Sequence, residues 1–191
     1  MKSLTWVFGR VDVLRAFLIS LVWSFLMTLL IAVSARFSFM LPLSPVPVTL
    51  QVAAVLLAGF MLGPKWGTWS VVQYLILGLM GAPVFAMGVG GPAVLFQPSF
   101  GYLLGFVLSA FLVGYTVSKG RRTVWRGLSA GALGIALIYF AGAVWLTGYF
   151  ALGGMSFSRA CVSAIAQGVV PFVLVDALKL GVVVSIWTLR R

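Results

Sequence analysis

The chain has 191 residues, of which 62% are hydrophobic and 8% charged, and its mean hydropathy is +1.17. A soluble domain carries about 45–50% apolar and about 25% charged residues, so a water-borne globule is excluded. The net charge of +11 comes from basic residues scattered in small groups between apolar runs, which excludes the continuous basic face that nucleic acid requires. At about 20 residues per spanning helix, six spans with short connections use up the length. The expectation is a single all-α integral membrane domain over 1–191, set in the lipid bilayer.

Taken in chain order, the first apolar run covers about 16–35. It is longer than the hydrophobic stretch of a signal peptide, about 7–15 residues, and is read as a retained membrane helix. A stripe of small residues recurs along it at four-residue steps: Ala16, Ser20, Ser24, Thr28 and Ala32. Such a stripe lets another helix approach closely, either a neighbour in the same bundle or a separate membrane subunit. The turn Ser-Pro-Val-Pro (Ser44 to Pro47) follows. Proline fixes φ, lacks an N–H, and biases the residue before it towards an extended shape, so this turn is stiff and has few donors to satisfy.

The second span, about 48–62, begins with the polar groups of Thr49 and Gln51 and ends at Gly-Pro-Lys-Trp-Gly (Gly63 to Gly67). The third covers about 68–80. A glycine- and proline-bearing segment then runs from Val84 to Phe100; it lacks any P-loop pattern. Non-helical backbone at membrane depth is tolerated where it lines a cavity or is buried in protein. The segment is therefore either a lid over a site, with Gly90, Gly91, Ser99 and Gly101 as its candidate positions, or an ordinary outer loop. The remaining spans are expected at 101–117, 128–149 and 164–189. The stripe Gly101, Gly105 and Ser109 is assigned to packing inside the bundle.

Placing the N-terminus inside gathers Lys2, Arg10, Arg15, Lys65, Lys119, Arg121, Arg122, Arg126, Arg190 and Arg191 on one side. The other side keeps Arg36 and Arg159, so the positive-inside rule selects N-in/C-in. Trp66, Trp125 and Trp187 adjoin the inner charges, at the level of an aromatic belt. The unusual loops then all fall outside, and ligand chemistry is expected to open outward.

The chain has two acidic residues, Asp12 in the basic N-terminal flank and Asp176 inside the last apolar run, three residues before Lys179. A charge at this depth normally faces the bundle interior, and spacing of i, i+3 puts the carboxylate and ammonium on one helix face. They form either a self-neutralising ion pair or a ligand site, with the carboxylate accepting N–H groups and the ammonium donating. Histidine is absent, and the lone Cys161 excludes an internal disulfide and a cysteine metal site. No acid–base pair is available beyond Asp176 and Lys179. No enzymatic activity, catalytic residue, metal or cofactor is expected.

Four stretches carry a resemblance to a known family: "LPLSPVPVTLQVAAVLLAGFMLGPKWG", "GLMGAPVF", "GGPAVLFQPSFGYLLGF" and "PFVLVDALK". From Leu41 to Lys179 the chain resembles the BioY family, the biotin-specific S components of energy-coupling factor transporters. The resemblance implies the six-helix S-component fold in a cell membrane. It implies biotin as the ligand, captured from outside with high affinity. The implied partners are a transmembrane coupling protein and a pair of ATPase subunits that drive release inward. Asp176 and Lys179 match the substrate-contacting pair, and Tyr102 the tyrosine that packs on the ring or donates to it. Gln51, near the outer mouth beside Asp176 and Lys179, is read as part of the site's wall or as support just behind it. Ser20, Ser24, Thr28 and Ala32 match the small residues that the first helix offers to the coupling protein. Gln97 and Phe100 stand where the family commonly has glycine, and Val89 where members often carry asparagine. The alternative ligand is a related ring such as dethiobiotin or another small vitamin; the alternative class is a non-transport membrane assembly protein.

Overall fold

The computed structural model describes residues 2–189, with side chains from residue 12 onward. Arg190 and Arg191 lie outside the described residues, as do the side chains of Lys2 and Arg10. The chain is all-helical apart from one short hairpin. Helix α1 (Lys2–Ser34) begins well before the expected 16. A two-residue antiparallel ladder follows, β1 (Ser38–Phe39) with β2 (Val48–Thr49), pairing Ser38 with Thr49 and Phe39 with Val48. The double proline sits in the connection between these strands. Ser44 closes the turn locally, its hydroxyl accepting from the Val46 N–H and donating to the Val46 carbonyl at 3.1 Å.

Helix α2 (Gln51–Leu79) contains both the second and the third expected spans. Gly63, at φ 74° and ψ −173°, reverses the chain between an arm over 51–62 and an arm over 64–79. The positive φ requires glycine, and Pro64 opens the second arm, where its missing N–H matters least. The expected five-residue break at Gly63 to Gly67 is therefore corrected to this one reversal: Lys65, Trp66 and Gly67 are already helical. The arms lie side by side. A β-carbon on Gly67 would stand 2.6 Å from the Ala58 carbonyl oxygen, and Gln51 reaches Tyr74, which a straight helix would hold about 34 Å away.

Residues 84–100 hold two 3-10 turns, Ala86–Gly88 and Pro92–Phe96. Helix α3 (Phe100–Ser118) and helix α4 (Val124–Leu152) follow, α4 capped by the Thr123 hydroxyl accepting from the Arg126 N–H. The expected last span, 164–189, is corrected to a broken segment. Helix α5 (Phe157–Gly168) stops at a 3-10 turn (Val170–Phe172), and helix α6 (Val173–Leu189) starts anew. Pro171 has no N–H with which to continue α5.

Helix α1 packs on α2, α3 lies between α2 and α4, and α6 closes against α4 and α2. The exposed surface is apolar, while α6 buries Asp176 at 2% exposure and presents Leu178 at 67%. This inversion is the pattern of a helix whose solvent is lipid. Asp12–Ser34, Phe100–Ser118, Val124–Leu152 and Phe157–Leu189 are long and apolar enough to cross a membrane. Trp125 is exposed as a belt residue should be. Trp187 adjoins a basic residue as expected, with the Arg122 guanidinium 5.9 Å from its ring centroid, but it is buried, 2% exposed and 5.2 Å from the ring of Phe60.

Candidate ligand-binding site

Six features converge on one cavity of about 450 Å³: the β-hairpin, the start of α2, the 84–100 segment, the first half of α3, the middle of α4, and the start of α6. That size suits a small molecule. Most of its wall is apolar, including Val52, Phe85, Val94, Phe106, Ile138 and Phe172. The polar part is compact and connected. The break at 170–172 puts Asp176 in the first turn of α6, where the helix dipole favours a carboxylate. Lys179 Nζ donates to Asp176 Oδ1 at 2.7 Å and to the Thr49 carbonyl at 2.7 Å. Tyr139, from α4, donates to Asp176 Oδ2 at 2.7 Å. The Lys179 and Asp176 side chains are 9% and 3% exposed. Each carboxylate oxygen retains a lone pair and the ammonium retains a third proton, so both can also meet a ligand.

The structure brings Asp176, Lys179, Tyr102, Gln51 and Ser99 together in the cavity wall. Gln51 is 2% exposed and donates through Nε2 to the Tyr74 hydroxyl, which in turn donates to the Val84 carbonyl at 3.3 Å. This chain ties the start of α2 to the segment above. Tyr102 offers its ring to the cavity, but its hydroxyl donates to the Gly168 carbonyl at 2.8 Å. Glycine is required on both sides of it: a β-carbon on Gly142 would stand 2.3 Å from the ring, and one on Gly168 2.2 Å from the hydroxyl. Tyr102 thus pins the end of α5, just ahead of the break that sets Asp176.

Three of the four proposed lid positions require a different placement. Gly91 lies back on the end of α2, its N–H donating to the Gly78 carbonyl at 2.7 Å, and Gly90 packs on the turn just after it, where a β-carbon would stand 2.3 Å from the Ala82 carbonyl oxygen. Gly101 packs against Trp145 of α4, where a β-carbon would come within 2.2 Å. The residues of this segment that face the cavity include Met87, Val89, Gln97, Pro98 and Ser99. Trp145 touches both positions that depart from the family pattern: its ring meets the Phe100 side chain edge-on at 5.2 Å, while its Nε1 donates to the Gln97 backbone carbonyl at 2.9 Å, a bond any residue at 97 would accept.

The stripe on α1 is corrected as an external docking surface. Ser24 and Thr28 are fully buried against the second arm of α2. Thr28 Oγ1 donates to the Ser70 carbonyl at 2.8 Å, and both hydroxyls lie 3.0 Å from Gln73 Oε1. Ser20 bonds to its own helix at Ala16, and Ala32 is partly buried and packed against the core. The close approach that small residues permit is used inside the bundle. The stripe on α3 does the same towards α4, with Gly105 against Ile138.

Tyr139 and the Thr49 carbonyl escaped the sequence reading. The hydroxyl of a tyrosine in an apolar span needs a partner, and Asp176 is the one intramembrane carboxylate available; that pairing was the signal. A backbone carbonyl carries none.

A family model described as the BioY family matches residues 7–191. A biotin transporter BioY of Thermotoga maritima is 43% identical over 163 residues, covering 85% of this chain and 89% of that protein. A probable biotin transporter BioY of Pyrococcus horikoshii is 37% identical, covering 75% and 80%. The solved S component for biotin from an ECF-type ABC transporter superposes with a TM-score of 0.79 at 29% identity, over 91% of each chain.

Proposed function

The chain belongs to the BioY family, and we propose that it is a biotin-binding S component that captures the vitamin from outside a cell membrane for import by an energy-coupling module. It is a transport subunit and not an enzyme. The observation that carries this reading is the buried Asp176–Lys179 pair in the wall of a small-molecule cavity, with Tyr139 on the second carboxylate oxygen. Biotin's ureido group has two N–H donors and one carbonyl acceptor. The carboxylate takes the donors and the ammonium takes the carbonyl, while the apolar wall receives the thioether ring and chain. A ligand lacking either polar function would leave a buried charge under-satisfied, and a site of this kind rejects it strongly.

The chain crosses the membrane six times with both termini inside, the two arms of α2 acting as short spans. The positive-inside distribution supports this orientation, and arms of 12 and 16 residues, about 18 and 24 Å long, fit beside a local thinning of the bilayer. The chain carries no nucleotide-binding motif, so a transmembrane coupling protein and ATPase subunits supply the energy. Calorimetry on the purified chain, titrated with biotin and with dethiobiotin, tests the ligand. Biotin should bind and dethiobiotin should compete more weakly; a folded chain that ignores biotin would sink the reading. Reporter fusions after Lys119 and after Met155 should read inside and outside respectively, and the reverse result would overturn the topology.

A further inference from the structure

We infer that Arg36, at the outer end of α1, forms the anion subsite of this cavity and reads the ligand's carboxylate; the inference rests on the biotin reading above. Charge accounting leads there. The charged residues in the cavity wall are Asp176 and Lys179, and they neutralise each other at 2.7 Å. Every other residue of that wall is neutral. Biotin ends in a carboxylate on a flexible chain, and an aliphatic carboxylate is ionised at neutral pH. With the ureido group at Asp176 and Lys179, the chain would extend along the apolar wall and carry its carboxylate away from that pair, towards the lining residues of the hairpin and the 84–100 segment.

Arg36 is not itself part of the cavity wall; it stands beside it, against Gly88, which lies between the lining residues Met87 and Val89. It follows the last turn of α1, its N–H donating to the Val33 carbonyl at 3.0 Å. Two residues on, the Ser38 hydroxyl accepts from the Met87 N–H at 3.2 Å and donates to its sulfur at 3.4 Å. Met87 and Met40 both line the cavity, so the strand that carries Arg36 is stitched to the rim. One guanidinium nitrogen lies 3.0 Å from where a β-carbon on Gly88 would be, and Gly88, at φ 74°, offers no side chain to block it. Arg36 is exposed. Its potential acidic partners are Asp176, already paired, and Asp12, about 33 Å away along α1. Among the described residues no carboxylate reaches it. A planar fork of donors with no partner of its own, beside the part of the wall towards which the carboxylate extends, fits a bidentate clamp.

The test compares biotin with its uncharged amide by calorimetry on the full chain, for wild type, Arg36→Gln, Arg36→Lys and Arg159→Gln. Arg159 is the other outer cation and sits on α5, not beside the 84–100 segment as Arg36 does, so it reports any general effect of surface charge. Wild type should bind biotin roughly tenfold tighter than the amide. Arg36→Gln should bind both equally, at the wild-type affinity for the amide, while Arg36→Lys keeps part of the preference and Arg159→Gln keeps all of it. The inference is overturned if Arg36→Gln retains the wild-type preference, if wild type has none, or if Arg159→Gln loses as much. Wild type that binds neither compound overturns the biotin reading itself, a result distinct from the others.

Discussion

Asp176→Asn, made alone and with Lys179→Met, separates the two tasks of the buried pair. In the single variant Lys179 stays 9% exposed with its charge intact, and it keeps the Thr49 carbonyl as an acceptor. Removing one partner of a buried ion pair destabilises by about 3–5 kcal/mol, and the retained carbonyl argues for the lower end of that range. The same change removes the charged acceptor for the ligand's N–H groups. Hydrogen bonds to charged groups are worth about 1.5–3 kcal/mol, which predicts about 10- to 150-fold weaker biotin binding. The double variant removes both charges while the introduced amide oxygen can still accept from Tyr139, so thermal stability in detergent should return to the wild-type value or exceed it. Binding should not return. Thermal unfolding and calorimetry on the three proteins therefore give two readouts that move in opposite directions. If the double variant regained affinity along with stability, the pair would be a structural device and the site would lie elsewhere in the cavity.

Three single contacts carry expectations of their own. Tyr139→Phe frees Asp176 Oδ2 and should weaken biotin binding by about 5- to 20-fold with the helical circular dichroism unchanged; full affinity would show that Tyr139 does not orient the carboxylate. Gly168→Ala places a methyl 2.2 Å from the Tyr102 hydroxyl and should lower stability by about 1–3 kcal/mol, read by thermal unfolding, while also weakening binding, because the displaced tyrosine adjoins the break before Asp176. Thr28→Val removes the donor to the Ser70 carbonyl, beside Gln73 Oε1, and should lower the thermal midpoint through about 1–3 kcal/mol of lost buried hydrogen bonding. Co-purification of that variant with the coupling module should match wild type, since its side chain is inside the bundle.

Much of the fold was legible because lipid imposes simple rules. Apolar run length located α3 and α4 to within a few residues. Where the sequence misled, a local feature was stronger than the pattern. Gly63 and Pro64 reverse the chain in a single step, so a stretch that reads as a five-residue loop is one glycine at positive φ followed by helix. Pro171 breaks an apolar run that hydropathy alone makes continuous. The small-residue stripe on α1 was ambiguous in principle: periodicity shows that something approaches closely, but it cannot distinguish a helix of the same chain from that of another. Ser70 and Gln73 on the facing arm of α2 decide it.

The site was legible in proportion to the cost of each residue where it sits. Asp176 and Lys179 stand out because a charge in an apolar span demands an explanation of its own. Tyr139 does not, since a tyrosine is ordinary in a membrane helix until its hydroxyl is traced to Asp176 Oδ2. The Thr49 carbonyl is invisible for a different reason. It is free to accept from Lys179 because the backbone at residues 48–49 is a strand and not the first turn of α2. The same logic explains why the polar groups gather at the ends of broken elements. The hairpin, the start of α2 and the break before α6 each release backbone groups that lipid cannot satisfy. Grouping them around one cavity lets Lys179, Tyr102 and the ligand satisfy them together. The irregular backbone and the binding chemistry are thus one solution to one constraint, and a variant that straightened the 168–172 break would remove both.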